Sequence, residues 1–496
     1  MFSIANKVFG KRFARSFSTE PGILHKVLNT FDKSRPSYKM ATFDPAVQLK
    51  DHHPISVADK EPEYNVTKLA NGFTVVTEST IFPGPVNMSF LIDVGTRDET
   101  EETSGSCLAL NNTYLKTLKH TNETVNYGMI QMSGGSMGMD FDQEKIYFSG
   151  QCLEYDTIDM FQMMVDIALE PRSVLAANVA KAKNRKSHEL AEHLGHFDPF
   201  MNNQEMLLRT AYGQQGLGMP RLGLKKNLEN IDARVLQNFV MRNITPEKCV
   251  IAANNVHDHQ EFVDLCKERL GEFYPLPESE YQREPTKYIG GDYRTWSETP
   301  STNITVAYES VPWNDPRSTA FFVMNTLIGS AQAFSVGGPG KGMYCRSITN
   351  LMQRYAFVDG AGAVNNIFTD SGLFGMQIEG PASNSQDLLY LCLQELHRLR
   401  EPIPDEELNR AKNILKMNIL QSLERDMDRL EEMAKNYMTF EKLTFHNYLE
   451  EIDKITSKDI NSIASQMIAG LPTMVVTGSA INVVPSVTDV QKMLNG

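Results

Sequence analysis

A glycine-rich stretch at residues 334–346 (FSVGGPGKGMYCR) holds residue types that could surround a phosphate. A Walker A loop needs the pattern G-x-x-x-x-G-K-[S/T], in which backbone N–H groups bind the phosphate and a hydroxyl binds magnesium. If Gly340 and Lys341 form the G-K pair, Ser335 replaces the first glycine and Gly342 replaces the hydroxyl-bearing residue. Both anchors fail, which excludes this type of nucleotide site. A surface loop without a ligand, or a loop that contacts another ligand, remains.

Residues 187–196 (SHELAEHLGH) combine three histidines and two glutamates, which are zinc-ligand types. The motif H-E-x-x-H fails because Glu192 stands where its second histidine is required. The motif H-x-x-E-H fails because Glu189 stands where its first histidine is required. His188, Glu192 and His196 share one helical face. This spacing favours a solvated, ion-paired helix face over a metal site.

Two acidic segments could bind cations but have simpler interpretations. Residues 140–145 (DFDQEK) lack the spacing and the glycine of a calcium-binding EF-hand loop, which predicts a turn between strands. Residues 424–432 (ERDMDRLEE) are typical of a solvated helix face, and the alternative is an acidic rim for a basic ligand. The methionines at 160–164 lie at helical spacing and are predicted to be core residues.

Composition limits the classes of protein that the chain can belong to. With 496 residues, 41% hydrophobic and 22% charged, it is a globular protein of more than one domain. The net charge of −13 disfavours nucleic acid as a partner, because phosphates require a basic face. No apolar run of about 18 residues is present, so the sequence predicts no transmembrane segment. Six scattered cysteines without a C-x-x-C predict reduced thiols.

The N-terminal residues 1–19 have the features of a mitochondrial presequence. They carry Lys7, Lys11, Arg12 and Arg15, and no acidic residue precedes Glu20. Their apolar residues lie largely on one side of a helix, and the segment contains serines. A basic, amphipathic and acid-poor segment is typical of mitochondrial transit peptides. The sequence therefore predicts import into mitochondria and processing after Arg15.

The remainder of the chain contains the same order of elements twice. Each half has an alternating strand, a glycine-led pair of strands, an amphipathic helix, a long charged helix and a closing strand. The corresponding segments are 87–95 and 303–311, 134–149 and 360–378, 157–170 and 385–399, 180–194 and 408–437, and 249–256 and 473–480. This repetition predicts an α+β fold of two homologous domains, each a mainly antiparallel sheet covered by helices on one face.

Domain boundaries follow from the repeat. The predicted segments are a presequence at 1–19, an N-terminal arm at 20–62, a first domain at 63–272, a linker at 273–294 that is rich in Pro, Gly and charge, and a second domain at 295–496 that contains the glycine-rich loop 334–343.

The duplicated plan resembles the pitrilysin/insulinase-type zinc metallopeptidases over about residues 60–490. More narrowly, it resembles the mitochondrial processing peptidases and the related core proteins of respiratory complex III. The segments that carry this resemblance are GTRDETEETSG (95–105), AYGQQGLGMP (211–220), ITPEKCVIAANNV (244–256), GGPGKGMY (337–344) and TDSGLFG (369–375). The fourth of these resembles the glycine-rich loop of the α subunits.

In active members of the family, a helix after the first strand carries H-x-x-E-H, which binds zinc and supplies a general base. In this chain the corresponding stretch is GSCLALNNTYLKT (105–117), which places Leu108, Asn111 and Asn112 at the motif positions. None of the three provides an imidazole ligand, and Asn111 cannot accept a proton as a carboxylate does. The resemblance therefore implies a degenerate site without catalytic residues or metal, in which Glu189 is a remnant of the distal glutamate.

The resemblance implies a non-catalytic subunit that binds presequence peptides for cleavage by a zinc-bearing β subunit. Because glycines let a backbone approach a ligand closely, the substrate-binding residues would be Gly337, Gly338, Pro339, Gly340, Lys341 and Gly342. Implied partners are the catalytic β subunit or core protein 1, cytochrome b and other complex III subunits, on the matrix side of the inner membrane. The alternative is a purely structural core protein of complex III, and a third possibility, an autonomous metallopeptidase, is opposed by the degenerate site.

Overall fold

The computed structural model describes most of the chain after residue 62. The described residues are 63–79, 84–116, 123–169, 183–189, 199–256, 258–271, 283–332, 344–441 and 446–495. Contacts group Pro62–Gly496 into one compact unit, which contains all of the described elements. The predicted presequence, the N-terminal arm and the glycine-rich loop 334–343 lie outside the described residues.

The first half of the described chain forms a six-stranded sheet. Its strands are β1 Glu63–Lys68, β2 Thr74–Ser79, β3 Val86–Ile92, β4 Ser136–Phe141, β5 Ile146–Cys152 and β6 Cys249–Asn254. They are arranged in the order β1-β2-β6-β3-β5-β4. Strand β6 pairs in parallel with β2, and the other neighbours are antiparallel.

The second half repeats this plan in another six-stranded sheet. Its strands are β7 Gly291–Trp296, β8 Ser301–Glu309, β9 Ser330–Gln332, β10 Gly360–Ile367, β11 Gly372–Pro381 and β12 Thr473–Gly478. The order is β7-β12-β8-β11-β10-β9, with one parallel pair between β12 and β7. Thus β6, β3, β5 and β4 correspond to β12, β8, β11 and β10. The predicted repeat and the α+β fold class are confirmed.

Helices pack against both sheets. In the first half they are α1 Ser106–Thr113, α2 Glu123–Met132, α3 Thr157–Leu169, α4 Pro199–Tyr212, α5 Ala233–Asn243 and α6 His259–Leu270. In the second half they are α7 Ser318–Ile328, α8 Ser385–Arg398, α9 Asp405–Leu423, α10 Asp426–Phe440, α11 His446–Lys454, α12 Ser457–Ile468 and α13 Val487–Asn495. Each half has its own large apolar core, and the methionines of α3 are buried in the first of them as predicted.

The inner face of each sheet is also covered, by a helix that belongs to the other half. Helix α10 of the second half packs Leu430, Met433 and Ala434 against β2, β3 and β6. Helix α4 of the first half packs Leu207, Leu208, Ala211 and Tyr212 against β8, β10, β11 and β12. The two halves therefore exchange one helix each.

This exchange corrects two expectations from the sequence. The alternating segments 87–95 and 303–311 predict half-buried strands, but all seven residues of β3 and the seven central residues of β8 are buried. The segment 408–437 predicts one long charged helix. In the structure the helix is interrupted at residues 424–425, where the backbone of Arg425 is extended. The interruption allows α10 to leave the direction of α9 and reach the first sheet.

The acidic segment 424–432 is consequently not a solvated face along its whole length. Leu430 is fully buried, and Arg429 donates from Nε to both carboxylate oxygens of the buried Glu78 at 2.9 and 3.0 Å. Burial raises the pKa of Glu78, and Arg429 opposes that rise. Among the described helices, none combines the length and the apolar character that crossing a membrane requires.

Candidate functional site

Helix α1 carries the three degenerate motif positions. Leu108 is buried, whereas Asn111 and Asn112 are half-buried. Asn112 donates from Nδ2 to Oδ1 of Asn184, a buried residue of the helical segment 183–189, at 2.7 Å. A leucine offers no ligand atom and a neutral amide is a poor substitute for imidazole, so these positions do not fit a zinc ion. An amide–amide hydrogen bond now connects the two helical segments.

The start of α1 is fixed by a buried carboxylate. Glu99 accepts hydrogen bonds from the backbone N–H groups of Gly105 and Cys107, both at 2.8 Å. Gly105 has φ +102°, and a side chain on the neighbouring Gly223 would lie 2.5 Å from the Gly105 Cα atom, so this contact requires glycine. Burial raises the pKa of Glu99 to about 7, although the N–H groups that it accepts from oppose the rise. Glu99 thus orients the helix that carries the degenerate motif positions.

The degenerate positions face a cavity of about 1260 Å³ between the two halves. The first half contributes Leu108, Asn111, Asn112, Phe141, Gln143, Ser187, His188, residues 204–206, Leu208, Arg209 and residues 220–225. The second half contributes Thr295, Trp296, Ser297, Trp313, residues 365–368 and Thr477. Trp296 is 61% exposed and Trp313 is half-buried, so their rings are available to a ligand. The walls therefore combine aromatic, apolar and amide groups.

The described cavity wall carries more cationic than anionic side chains. Arg209, Arg221 and Lys225 line it, whereas Glu205 is its carboxylate. Burial raises the pKa of Glu205, and both arginines oppose this effect. Arg221 is also paired with Asp140 at 2.6 Å. This wall does not attract a basic ligand by charge.

A buried ion-pair network joins the halves beside the cavity. Arg97 of the first half donates to Glu144 at 2.7 Å and to both oxygens of Asp370 of the second half at 2.9 and 2.5 Å. Burial by itself would raise the pKa of Asp370, but Arg97 and Thr286 outweigh it and lower that pKa. Arg283 adds hydrogen bonds to Asp93 and Asp98 at 2.8–2.9 Å. We refer to Arg97, Glu144 and Asp370 as the interdomain clasp.

The structure settles several of the candidate sites and leaves others open. The predicted turn between β4 and β5 is formed by residues 142–145, and Asp142 Oδ1 accepts from the N–H groups of Glu144 and Lys145 at 2.7 Å. His188 lines the cavity, whereas Glu189 is exposed and does not. Glu192, His196 and residues 337–342 lie outside the described residues. Within the described part of the chain, no three His, Cys, Asp or Glu residues are grouped as metal ligands.

Comparison with known proteins agrees with this geometry. Residues 230–415 match the model of the peptidase M16 inactive domain. The chain is 27% identical to a mitochondrial-processing peptidase subunit alpha of Solanum tuberosum, covering 84% of this chain and 82% of that protein. It is 26% identical to a probable mitochondrial-processing peptidase subunit beta of Arabidopsis thaliana, covering 84% of this chain and 79% of that protein.

A solved structure supports the fold assignment. A chain in the structure entitled "Complex III2 from Candida albicans, Inz-5 bound" superposes with a TM-score of 0.72 at 18% identity. The superposition covers 87% of this chain and 99% of that chain. At this level of identity the match establishes the common fold.

The duplicated sheets and the central cavity form a two-domain α+β architecture like that of the peptidase M16 proteins, and the motif positions of α1 carry no zinc-binding side chain. Residues 230–415 match the inactive domain of the peptidase M16 family and most of the chain is similar to mitochondrial-processing peptidase subunits, so the resemblance inferred from its sequence is confirmed.

Sequence reasoning missed the residues that position the site. Arg97 and Glu99 lie in the segment GTRDETEETSG, and Asp370 lies in TDSGLFG, but both segments served only as family signatures. A signal was present, because Arg97 and Asp370 each lie within a few residues of a buried strand, and a charge that becomes buried requires a partner. Their partner could not be identified, because Arg97 and Asp370 are 273 residues apart.

Proposed function

We propose that this chain is the substrate-recognising, non-catalytic partner of a zinc-bearing β subunit in a mitochondrial processing peptidase. The observation that carries the proposal is the position of Leu108, Asn111 and Asn112 on the wall of the large central cavity. The cavity is retained while the zinc ligands are replaced, which fits a chain that holds a peptide but does not cut it. The zinc of the partner would polarise the scissile carbonyl and activate water.

Sequence identity alone does not distinguish the two types of subunit, because the α and β relatives are 27% and 26% identical to the chain. The degenerate positions of α1 and the glycine-rich loop support the α assignment. We retain Gly337, Gly338, Pro339, Gly340, Lys341 and Gly342 as the proposed substrate-binding residues.

The cavity wall indicates how the chain would contact a basic presequence. Because Arg209, Arg221 and Lys225 outnumber Glu205, acidic contacts to the presequence would come from the β partner. This chain would supply aromatic and amide surface. Strand β4 is an edge strand of the described first sheet, and its last residue, Phe141, lines the cavity. An extended peptide could add to this edge through backbone hydrogen bonds.

Deletion of residues 337–342 tests the loop. We expect the complex with the β subunit to assemble normally, while presequence cleavage is impaired by at least about tenfold in kcat/KM, because the proposed backbone contacts to the substrate are lost. Size-exclusion chromatography and a peptide cleavage assay measure the two outcomes. Unchanged cleavage by the assembled complex would disprove the proposed role of the loop.

Trp296→Ala tests the cavity. We expect KM for a presequence peptide to rise about three- to tenfold with little change in kcat, because an aromatic contact contributes binding without touching the scissile bond. Tyr390→Ala is the matched control, since Tyr390 is 64% exposed and lies outside the cavity lining. Equal kinetics of the two variants would argue against substrate binding at this wall.

Membership in respiratory complex III, with core protein 1, cytochrome b and other subunits as partners, is the second candidate function. Its support is the fold shared with a chain of a complex III structure. The protein would then lie peripherally on the matrix side of the inner membrane. Native purification in mild detergent tests this function: co-purification with cytochrome subunits supports it, and their absence from a preparation that retains the β subunit opposes it.

A further inference from the structure

A second pocket, distant in sequence from the degenerate motif, is lined by four arginines. It has a volume of about 660 Å³ and lies where residues 344–354, the C-terminal end of α8 and the N-terminal end of α9 meet. Its guanidinium groups belong to Arg346, Arg354, Arg398 and Arg410, and we call it the arginine pocket. Neither the proposed peptide cavity nor the interdomain clasp shares a lining residue with it.

Arg346 is the buried residue of this group. Only 6% of it is exposed, and it donates from Nε and Nη2 to the carboxylate of Glu407 at 2.7 and 3.2 Å. Its Nη1 group is buried and has no acceptor among the described residues. A buried guanidinium nitrogen without an acceptor is unfavourable by an amount comparable to a lost hydrogen bond to a charged group. The pocket therefore contains a donor that an incoming oxygen atom would satisfy.

The carboxylates near the pocket neutralise only part of its positive charge. Glu407 is paired with Arg346, and Glu395, which is buried, is paired with Arg398 and accepts from Asn350 at 3.0 Å. Arg410 lies 3.9 Å from Glu406, whose side chain is 93% exposed, and such pairs contribute little.

Arg354 is the remaining guanidinium. It is exposed, and no side-chain partner is found for it in the described part of the chain. Besides Glu406, the remaining carboxylate of the pocket lining near Arg354 and Arg410 is Glu401, which is exposed at the rim. Two of the four arginines therefore lack a well-held carboxylate.

We propose that the arginine pocket binds a phosphate-type oxyanion. Guanidinium groups present planar pairs of donors that match phosphate oxygens, and several can bind one phosphate because its oxygens point in different directions. A ligand carboxylate would match the pocket less well than a phosphate, because the carboxylate of Glu407 already occupies Nε and Nη2 of Arg346. The start of α9 at the pocket adds the positive end of a helix dipole. The volume accommodates a diphosphate or a phosphorylated head group.

Titration of the full-length chain with pyrophosphate, at constant ionic strength maintained with chloride, tests the proposal. We expect saturable binding by calorimetry that weakens by at least about tenfold in Arg354→Gln, because a charge-assisted interaction is lost. Arg400→Gln is the matched control: Arg400 is exposed, lies two residues beyond Arg398 and does not line the pocket. Absence of saturable binding, or equal weakening in both variants, would overturn the proposal.

A variant that is expected to bind pyrophosphate more tightly shows that changes in affinity do not result from a general loss of folding. Glu406→Gln removes an exposed rim carboxylate and should tighten pyrophosphate binding, whereas unchanged or weaker binding would count against the pocket as the site.

Vesicle flotation then distinguishes the two possible sources of the phosphate group, a lipid head group and a soluble phosphate. Binding to phosphatidylglycerol vesicles but not to phosphatidylcholine vesicles, lost in Arg354→Gln, assigns a lipid head group. Pyrophosphate binding without vesicle binding assigns a soluble phosphate.

Discussion

At the scale of single residues, the structure shows which hydrogen bonds position helix α1 in the absence of zinc ligands at its motif positions. Glu99 holds the N-terminus of α1 through the N–H groups of Gly105 and Cys107, while Asn112 contacts Asn184. These interactions need hydrogen-bonding groups but no metal. The positions that would carry catalysis thus have a structural role.

The ionisation of Glu99 makes a residue-scale prediction. Its folded-state pKa of about 7 lies above the ordinary value near 4.5, so the folded protein binds more protons between these pH values. The contribution of Glu99 to stability is therefore present at low pH and is lost as pH rises through about 7. The melting temperature of the wild type minus that of Glu99→Gln should fall between pH 5 and pH 8. A difference that is independent of pH would contradict this. Glu101→Gln, at an exposed neighbour, is the control and should show no such fall.

At the scale of secondary-structure elements, the exchanged helices explain why polar residues alternate in strands that are buried on both faces. On the inner face of the first sheet, Asn87 donates to Asn254 at 2.7 Å, and Asn254 donates to the Asp426 carbonyl at the start of α10 at 2.9 Å. On the second sheet, Asn203 of α4 donates to Asn303 at 2.7 Å. The polar positions that appear to face solvent bind the helix from the other half.

Leu430→Ala tests the contribution of α10 to the first sheet. The change removes a fully buried side chain and should destabilise the protein by about 2–5 kcal/mol. Because the lost contacts are with β2, β3 and β6, hydrogen exchange should accelerate in the first sheet although the substitution lies in the second half. Met417→Ala on α9 is the control, since Met417 is 63% exposed. Faster exchange confined to the second half would refute the exchanged packing.

At the scale of the whole molecule, the cavity depends on the way the halves are joined. The interdomain clasp places Arg97 and Glu144, both nearly inaccessible to solvent, against Asp370 of the second half. Tyr212 adds a 3.0 Å hydrogen bond to Ser371 across the same boundary. These contacts fix the cavity walls relative to each other.

Arg97→Ala should therefore weaken the association between the two halves of the described chain. Removing one partner of a buried ion pair leaves Glu144 buried without its cation and is expected to be destabilising by about 3–5 kcal/mol. We expect a lower melting temperature and faster proteolysis in the linker 273–294. Arg317→Ala removes an arginine that pairs with Asp315, two residues away, and should change neither measurement appreciably. Similar behaviour of the two variants would exclude a joining role for the clasp.

Much of the fold was accessible from the sequence because its signals are local. Period-two and period-3.6 patterns identified the strands and helices that recur in both halves, and their repetition identified the duplicated architecture. The family resemblance also implied the loss of zinc ligands, because aligning residues 105–117 on the family motif places Leu108, Asn111 and Asn112 at its positions. The substrate-binding role of residues 337–342 stays a prediction.

The sequence by itself predicted the elements that recur in both halves and their order, and its resemblance to a known family implied that the motif positions on α1 lack zinc ligands. Only the tertiary structure decided which helix covers which sheet, which charges join the halves and where the cavity and the arginine pocket lie. The physical reason is that periodicity reports the environment of a residue relative to its neighbours in the chain. It does not specify the partner that provides that environment, and Glu78 and Arg429, which pair in the fold, are 351 residues apart.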